Sequence, residues 1–219
     1  MNGQRQPDYI VVEGPIGVGK TSLAKRLATT FKTDLMLELP AENPFLERFY
    51  EDPKTAALPT QLYFLFQRAR QLEIIRQADL FRPIQIADFL IDKDRLFAEV
   101  TLSKDEFDLY QQVYNRTALE APIPDLVIYL QSSVDILMQR IARRALPHER
   151  FIERAYLEKI TEAYARFYHN YNEAPLLIVN ASSIDPANNS ADYAQLFEQV
   201  CRTTSGRHFF NPSAAAALA

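Results

Sequence analysis

The stretch Tyr9-Ile10-Val11-Val12-Glu13-Gly14-Pro15-Ile16-Gly17-Val18-Gly19-Lys20-Thr21 decides how the rest of the chain is read. Its first half is a short apolar run of the kind that forms a buried strand. Its second half fits the pattern G-x-x-x-x-G-K-[ST]. Glycines let successive backbone N–H groups converge on phosphate oxygens, and the helix opening at Thr21 turns its positive end toward them. Gly14, Pro15, Ile16, Gly17, Val18, Gly19, Lys20, Thr21 and Ser22 are therefore candidate nucleotide-binding residues. Lys20 would reach the outer phosphates, and the Thr21 hydroxyl is placed for Mg2+. The bland alternative is a glycine turn beside a solvated lysine. A strand before and a helix after are the context a phosphate loop requires, so the chain reads as a P-loop phosphotransferase or NTPase.

Glycine is scarce elsewhere: the 219 residues hold five, where average usage of roughly 7% would give about 15. The backbone freedom glycine provides is concentrated in this one loop. A mass of 25.2 kDa suits one domain spanning residues 1–219, with hydrophobic and charged fractions of 47% and 24% typical of an ordered soluble globule. The net charge of −4 argues against a nucleic-acid-polymer binder but leaves a small anionic ligand open. Cys201 stands alone, which excludes an intrachain disulfide and a cysteine metal cluster. The first ten residues lack the apolar core of a signal peptide, and no run is long enough for a membrane helix. A cytoplasmic protein without a membrane partner is expected.

Five short apolar segments read as strands: Tyr9–Glu13, Leu35–Leu39, Ile84–Asp88, Leu126–Leu130 and Leu176–Asn180. Helical patterns separate them, so the expected fold is α/β, a five-stranded parallel sheet flanked by helices. Ligands in such sheets bind beyond the carboxyl ends of the strands. Helices are expected over Thr21–Phe31, Pro59–Leu80, Ser103–Tyr114, Val134–Arg144, Phe151–Tyr171 and Asp192–Arg202. Ser103 with Glu106 fits a capping box, and Ser132 and Ser190 are candidate caps. The apolar residues of Pro59–Leu80 are spread too widely for a simple surface helix, so part of it is a candidate subunit contact. Residues 205–219 are expected to form a disordered, alanine-rich tail.

After the second strand segment come Glu38, Glu42-Asn43-Pro44-Phe45-Leu46, Phe49-Tyr50-Glu51-Asp52-Pro53, Thr60-Gln61-Leu62-Tyr63 and Gln67-Arg68-Ala69-Arg70. With the phosphate loop, this order resembles the deoxynucleoside kinase family, from about Tyr9 to Phe197. The resemblance implies ATP as donor and a deoxynucleoside 5′-hydroxyl as acceptor. By position, Glu38 matches the family's carboxylate at the 5′-hydroxyl, Tyr50 its hydroxyl at the sugar 3′-position, and Gln61 and Arg68 its base-side amide and arginine. Physically, a carboxylate in hydrogen-bond reach orients or deprotonates an attacking hydroxyl, and an amide offers a base edge both donor and acceptor. Gln61 and Arg68, two helical turns apart, share a face.

The third strand segment ends in Asp88-Phe89-Leu90-Ile91-Asp92-Lys93-Asp94-Arg95-Leu96-Phe97. Many family members carry Asp/Glu-Arg-Ser here. Asp88 keeps the carboxylate, suited to Mg2+ or its water, but Phe89 and Leu90 replace the arginine and serine. Lys93 and Arg95 are the cations that could take the arginine's place. Asp94 falls near the family's base-reading acid and Phe97 near its stacking aromatic; a charged loop capping the next helix is the competing account. Residues 140–152 resemble the arginine-rich lid. Arg140 and Arg144 are placed on one helical face toward the transferring phosphoryl group, Arg143 is read as solvated, and Glu149 matches a 3′-hydroxyl contact. Ala145 and Leu146 stand where family lids often carry glycine and arginine. His148, His169 and His208 show no metal-ligand spacing and read as structural or exposed, and Tyr164, Phe167, Tyr168 and Tyr171 as core or dimer surface.

The resulting expectation is a deoxynucleoside kinase: Lys20, Arg140 and Arg144 stabilise transferring charge, Thr21 and Asp88 hold Mg2+, and Glu38 activates the hydroxyl. A purine acceptor is favoured, because Gln61 and Asp94 could read a purine edge. The resemblance also implies a homodimer and feedback by a deoxynucleoside triphosphate. A nucleoside-monophosphate or other small-molecule kinase, and a non-catalytic nucleotide switch, remain as alternatives. A guanine-type Asn-Lys-x-Asp motif would favour the latter, and none is present.

Overall fold

The computed structural model describes residues 8–77, 85–117 and 122–212. Its centre is β1 (Tyr9–Glu13), all five residues buried. The sheet adds β2 (Asp34–Met36), β3 (Gln85–Ala87), β4 (Leu126–Gln131), β5 (Leu176–Asn180) and β6 (Arg207–Phe210), in the order β2-β3-β1-β4-β5-β6. Every neighbouring pair is parallel. Six strands are present where five were expected. The sixth lies inside the stretch read as a disordered tail: Gly206, at φ 67°, turns the chain into β6, which pairs along β5. Only four residues long and beginning Arg207-His208, it offers too little apolar pattern to register in the sequence. Residues 213–219 lie outside the described residues.

β2 is shorter than the expected Leu35–Leu39 because its continuation is bound by side chains rather than by a neighbouring strand. Glu38 N–H donates to Asp88 Oδ1 at 2.7 Å, and the Leu37 carbonyl accepts from Gln71 Nε2 at 2.7 Å. β3 likewise stops before Asp88, and Ile84 lies outside the described residues. The chain thereby leaves the sheet just before Glu38 and Asp88.

Alternation along the strands divides the core into two layers. Ile10 and Val12 pack with Leu23 and Leu27 of α1 (Lys20–Phe31), Leu137 and Ile141 of α6 (Val134–Arg144), and Leu196 and Val200 of α8 (Ser190–Arg202). Tyr9 and Val11 face the other way. They pack with Leu65 of α3 (Pro53–Gln77), Leu96 of α4 (Lys93–Thr101), Tyr110 of α5 (Lys104–Thr117), and Ile160, Tyr164 and Tyr168 of α7 (Arg154–Asn170). Tyr168 stacks on Tyr129 at 4.2 Å between ring centroids, which makes these tyrosines core rather than an outer surface.

The helix ends carry three corrections. α3 begins at Pro53, where a proline suits the first turn, and holds Pro59 inside it; residues 78–80 lie outside the described residues. Ser133, not Ser132, stands at the N-terminus of α6, and Asn189 rather than Ser190 caps α8, accepting from the N–H groups of Ala191 and Asp192. The capping box ahead of α5 forms as expected: Ser103 N–H and Oγ both donate to Glu106 Oε2, at 3.0 and 2.8 Å. α2 (Leu46–Glu51) lies between the second strand and α3 and buries Leu46 and Phe49 against Ala56 and Ala57.

Candidate active site

The phosphate loop leaves β1 at the centre of the sheet. Gly14 has φ 146°, and a Cβ there would lie 2.4 Å from the Leu130 carbonyl oxygen, so the loop passes against β4 only without a side chain. Gly19, at φ 105°, opens α1 in a left-handed conformation that other residues rarely adopt. Lys20 Nζ folds back to donate to the carbonyls of Gly14 and Pro15, at 2.7 and 3.2 Å. Desolvation and the nearby Lys93 lower its pKa, against Glu13, Glu38 and Asp88. Thr21 Oγ1 donates to Asp88 Oδ2 at 2.5 Å, which joins the two residues expected at the metal. Desolvation and Glu38 raise the Asp88 pKa, partly offset by that hydroxyl.

Beside the loop opens a cleft of about 820 Å³, solvent-open mouth included, a size ordinary for a small-molecule site. Ile16, Gly17, Lys20, Thr21, Glu38, Tyr50, Gln61, Arg68, Asp88, Phe97, Arg144 and Glu149 all line it, so residues scattered through the sequence reading converge there. Glu38 is the focus. Its Oε1 takes the Nε (2.7 Å) and Nη2 of Arg68 and the ammonium of Lys93 (2.9 Å). Its Oε2 has no hydrogen-bond partner among the described residues. Burial alone would raise this carboxyl, but Arg68, Lys93 and Lys20 outweigh it and hold the pKa near 2.

Arg68 also pairs with Asp94, which is fully buried and reaches the cleft only through that arginine. Its guanidinium lies 5.1 Å from the ring centre of Phe64. Gln61 Nε2 donates to Thr101 Oγ1 at 3.3 Å. Glu149 pairs with Arg144, and Tyr50 is packed with Phe49 and Tyr156. Burial, then Glu149 and Glu38, push the Tyr50 phenol upward, so it remains a neutral hydroxyl.

A second cleft of about 770 Å³, open mouth included, lies across the loop, bordered by Gly17, Val18, Gly19, Ser22, Arg140, Arg143, Arg144 and residues 184–188. Arg140 donates to the carbonyls of Val18 (3.0 Å), Ala181 (2.8 Å) and Ile184 (3.4 Å), which ties the phosphate loop to the segment after β5. Arg26 grips the same segment from α1. It donates to the carbonyls of Pro186, Ala187 and Asn189 at 3.0–3.2 Å and lies 4.2 Å from the ring centre of Tyr193.

Arg143, read as solvated, is exposed and borders this second cleft, and His148, read as structural or exposed, is half-buried and lines the first. Pro15 borders neither; it faces a groove with Tyr129 and Phe209. Phe89 and Leu90 are buried in the core, so no side chain directly after Asp88 reaches the ligand clefts. Lys93 does reach one, whereas Arg95 lies over Tyr114. Phe64, Phe49, Tyr156, Glu13 and Arg26 were not singled out. The signal for Phe64 was present, since it falls one turn from both Gln61 and Arg68 on the same helix.

A family model described as deoxynucleoside kinase matches residues 10–204. The chain belongs to the deoxynucleoside kinase family. Among relatives of this kinase, deoxyguanosine kinase of Bacillus subtilis (strain 168) is 34% identical over 198 residues, covering 88% of this chain and 95% of the relative. Deoxyadenosine/deoxycytidine kinase of the same organism is 28% identical, covering 87% and 90%. A structure of deoxyadenosine kinase from M. mycoides with the products dCMP and dCDP superposes with a TM-score of 0.78, at 25% identity, over 88% of this chain and 98% of that one. This kinase is accordingly a phosphotransferase with the P-loop α/β fold of its relatives.

Proposed function

We propose that this kinase transfers the γ-phosphoryl group of ATP to the 5′-hydroxyl of a purine deoxynucleoside. The observation that carries the reading is the Glu38 carboxylate: one oxygen is bonded by two cations, and the other has no hydrogen-bond partner among the described residues, in a cleft that Lys20 and Thr21 also line. A carboxylate held near pKa 2 is a weak base but a strong hydrogen-bond acceptor. It orients the 5′-hydroxyl first and takes its proton late, which suits a loose phosphoryl-transfer transition state. Tyr50 and Glu149 bind the 3′-hydroxyl, Gln61 and Arg68 face the base with Asp94 behind them, and Phe97 packs on the base. Lys20, Arg140 and Arg144 meet the transferring charge, and the cleft bordered by residues 184–188 receives the donor base.

Thr21 Oγ1 and Asp88 Oδ2 are two hard oxygen donors side by side, which fits Mg2+, an ion that takes few protein ligands and keeps water and phosphate oxygens for the rest. When bound, the metal neutralises charge on the donor phosphates. The purine preference draws on the relatives named as deoxyguanosine and deoxyadenosine kinases. Feedback by a deoxynucleoside triphosphate is supported by related deoxyadenosine kinase structures with bound dATP and dCTP. A homodimer is supported by exposed Phe66 and Leu109 on α3 and α5, two helices in mutual contact. We read the chain as one domain with a lid over residues 140–152, acting in the cytoplasm; no described helix is long and apolar enough to cross a membrane.

A phosphoryl-transfer panel tests the function: ATP with the four deoxynucleosides, their monophosphates and the ribonucleosides. Deoxyguanosine and deoxyadenosine are expected to turn over fastest. Turnover of monophosphates alone would refute the nucleoside reading, and faster turnover of pyrimidines would refute the purine preference.

A further inference from the structure

Lys93 is the first residue of α4, only 2% exposed, and it stands between two carboxylates. Its Nζ lies 2.9 Å from Glu38 Oε1 and 3.2 Å from Glu13 Oε1. Burying an ammonium costs several kcal/mol unless its charge is well used. Neutralising Glu13 is one use, since that carboxylate is completely buried. It does not explain the second contact, because Glu38 already holds a two-pronged bond from Arg68.

The rest of the geometry is directional. Glu13 is itself fixed by Gly14 N–H (3.0 Å), Leu90 N–H (2.7 Å) and the Tyr164 hydroxyl (3.0 Å), so it anchors Lys93 to the phosphate loop. An ammonium has three protons, and the two carboxylates use two. Lys93 lines the acceptor cleft together with Lys20 and is close enough to depress the Lys20 pKa. Two ammonium groups lining one cleft favour an anion there.

Building on the kinase reading above, we propose that Lys93 is a catalytic residue that donates a hydrogen bond to the phosphoryl group as it passes from donor to acceptor. In this chain the cation comes from the start of α4, five positions beyond Asp88, and not from position 89, where Phe89 is packed in the core. In the reaction the acceptor 5′-oxygen bonds to the γ-phosphorus while the bond from that phosphorus to the β,γ-bridging oxygen breaks. ADP leaves with the electrons of that bond, and the hydroxyl proton passes to Glu38. Lys93 takes no part in that proton transfer and stabilises the charge on the equatorial oxygens.

The test compares Lys93→Met and Lys93→Arg with the parent enzyme, measuring kcat and KM for ATP and for the preferred deoxynucleoside. Lys93→Met is expected to lose about 10²- to 10³-fold in kcat, as for removal of one preorganised donor, while either KM changes by less than about 3-fold. Lys93→Arg is expected to recover most of the loss. A Lys93→Met enzyme within about 3-fold of the parent kcat would overturn the proposal and leave Lys93 as the counter-ion of Glu13. Should Lys93→Met fail to fold, the double variant Lys93→Met/Glu13→Gln removes both charges of the buried pair. That variant is expected to fold and still lose kcat, and recovery of parental turnover there would equally overturn the proposal. A parent enzyme inactive on every deoxynucleoside would instead refute the kinase reading on which this rests.

Discussion

Glu38→Gln is the most informative single change, because it removes one charge and keeps the shape of the side chain. The carboxyl sits near pKa 2 against an ordinary 4.5, and that difference corresponds to roughly 3 kcal/mol of favourable interaction with the charged form. Removing the charge leaves Arg68 and Lys93 under-compensated in a site where Lys93 is 2% exposed and Arg68 4%. At roughly 2–4 °C per kcal/mol for a chain of this size, Tm should fall by about 6–12 °C at pH 7. Turnover should fall by about 10²- to 10⁴-fold, the range for a group that handles the reacting proton. ATP affinity should change by less than about 3-fold, since Glu38 lines only the acceptor cleft. The stability effect also carries a pH signature. Glu38 has a lower pKa folded than unfolded, so its contribution is complete above about 4.5 and is lost as pH falls toward 2. The Tm gap between parent and variant should therefore narrow across that window. Differential scanning fluorimetry from pH 7 to pH 3, with steady-state kinetics at pH 7.5, reads both effects. Unchanged turnover would remove Glu38 from the mechanism, and a Tm gap that is constant with pH would refute the charge argument.

Arg26→Met releases the segment after β5 from its grip and should raise the KM for ATP about 10-fold, the equivalent of one charge-assisted hydrogen bond, with the acceptor KM unchanged; equal rises in both would refute the donor-side assignment. Ala145 ends α6 in the left-handed region at φ 51°, a conformation costing about 1–2 kcal/mol for a residue with a Cβ. Ala145→Gly should raise Tm by about 1–4 °C after the added entropy of an unfolded glycine, and a lower Tm would show that the cap is unstrained. Asp88→Asn should raise the Mg2+ concentration for half-maximal velocity by more than about 10-fold, whereas Glu38→Gln should not; equal shifts would refute the separation of metal and hydroxyl roles.

The central sheet was legible in the sequence because its strands are continuous apolar runs bounded by breakers. β1 and β5 begin and end where that pattern places them. β6 was not legible, since parallel pairing with β5 holds it in place while Phe209 remains 73% exposed. The phosphate loop was readable because its chemistry fixes spacing and residue type within eight positions. The acceptor side was harder. Gln61, Arg68 and Phe64 share a helical face, which periodicity gives, but which carboxylate each cation selects is a long-range fact. Lys93 meets Glu13 and Glu38 across 80 and 55 positions of chain, and no local pattern encodes such a meeting. Glu13 carried a fainter signal, a carboxylate ending an otherwise apolar strand directly before Gly14.

If the kinase takes Mg2+ as proposed, the distribution of charge around the two clefts favours Asp88 over its neighbours as the ligand. Glu13 has Lys93, Glu38 has Arg68 and Lys93, Asp94 has Arg68, and Glu149 has Arg144. Asp88 alone of these carboxylates is held without a cation among the described residues, by the Thr21 hydroxyl and the Glu38 N–H. Desolvation and the repulsion of Glu38 raise its pKa, so its charged form is the one that an added cation would stabilise most. Glu38 is in the opposite condition. Two cations, Arg68 and Lys93, bond to the same oxygen of it and leave that oxygen no room for a third. The fold thus separates two chemically similar side chains at the ends of adjacent strands by the company each keeps. One is engaged by protein cations on one oxygen, which on the proposed reading leaves the other for the acceptor hydroxyl; the other is held without a cation, which on that reading leaves it for Mg2+.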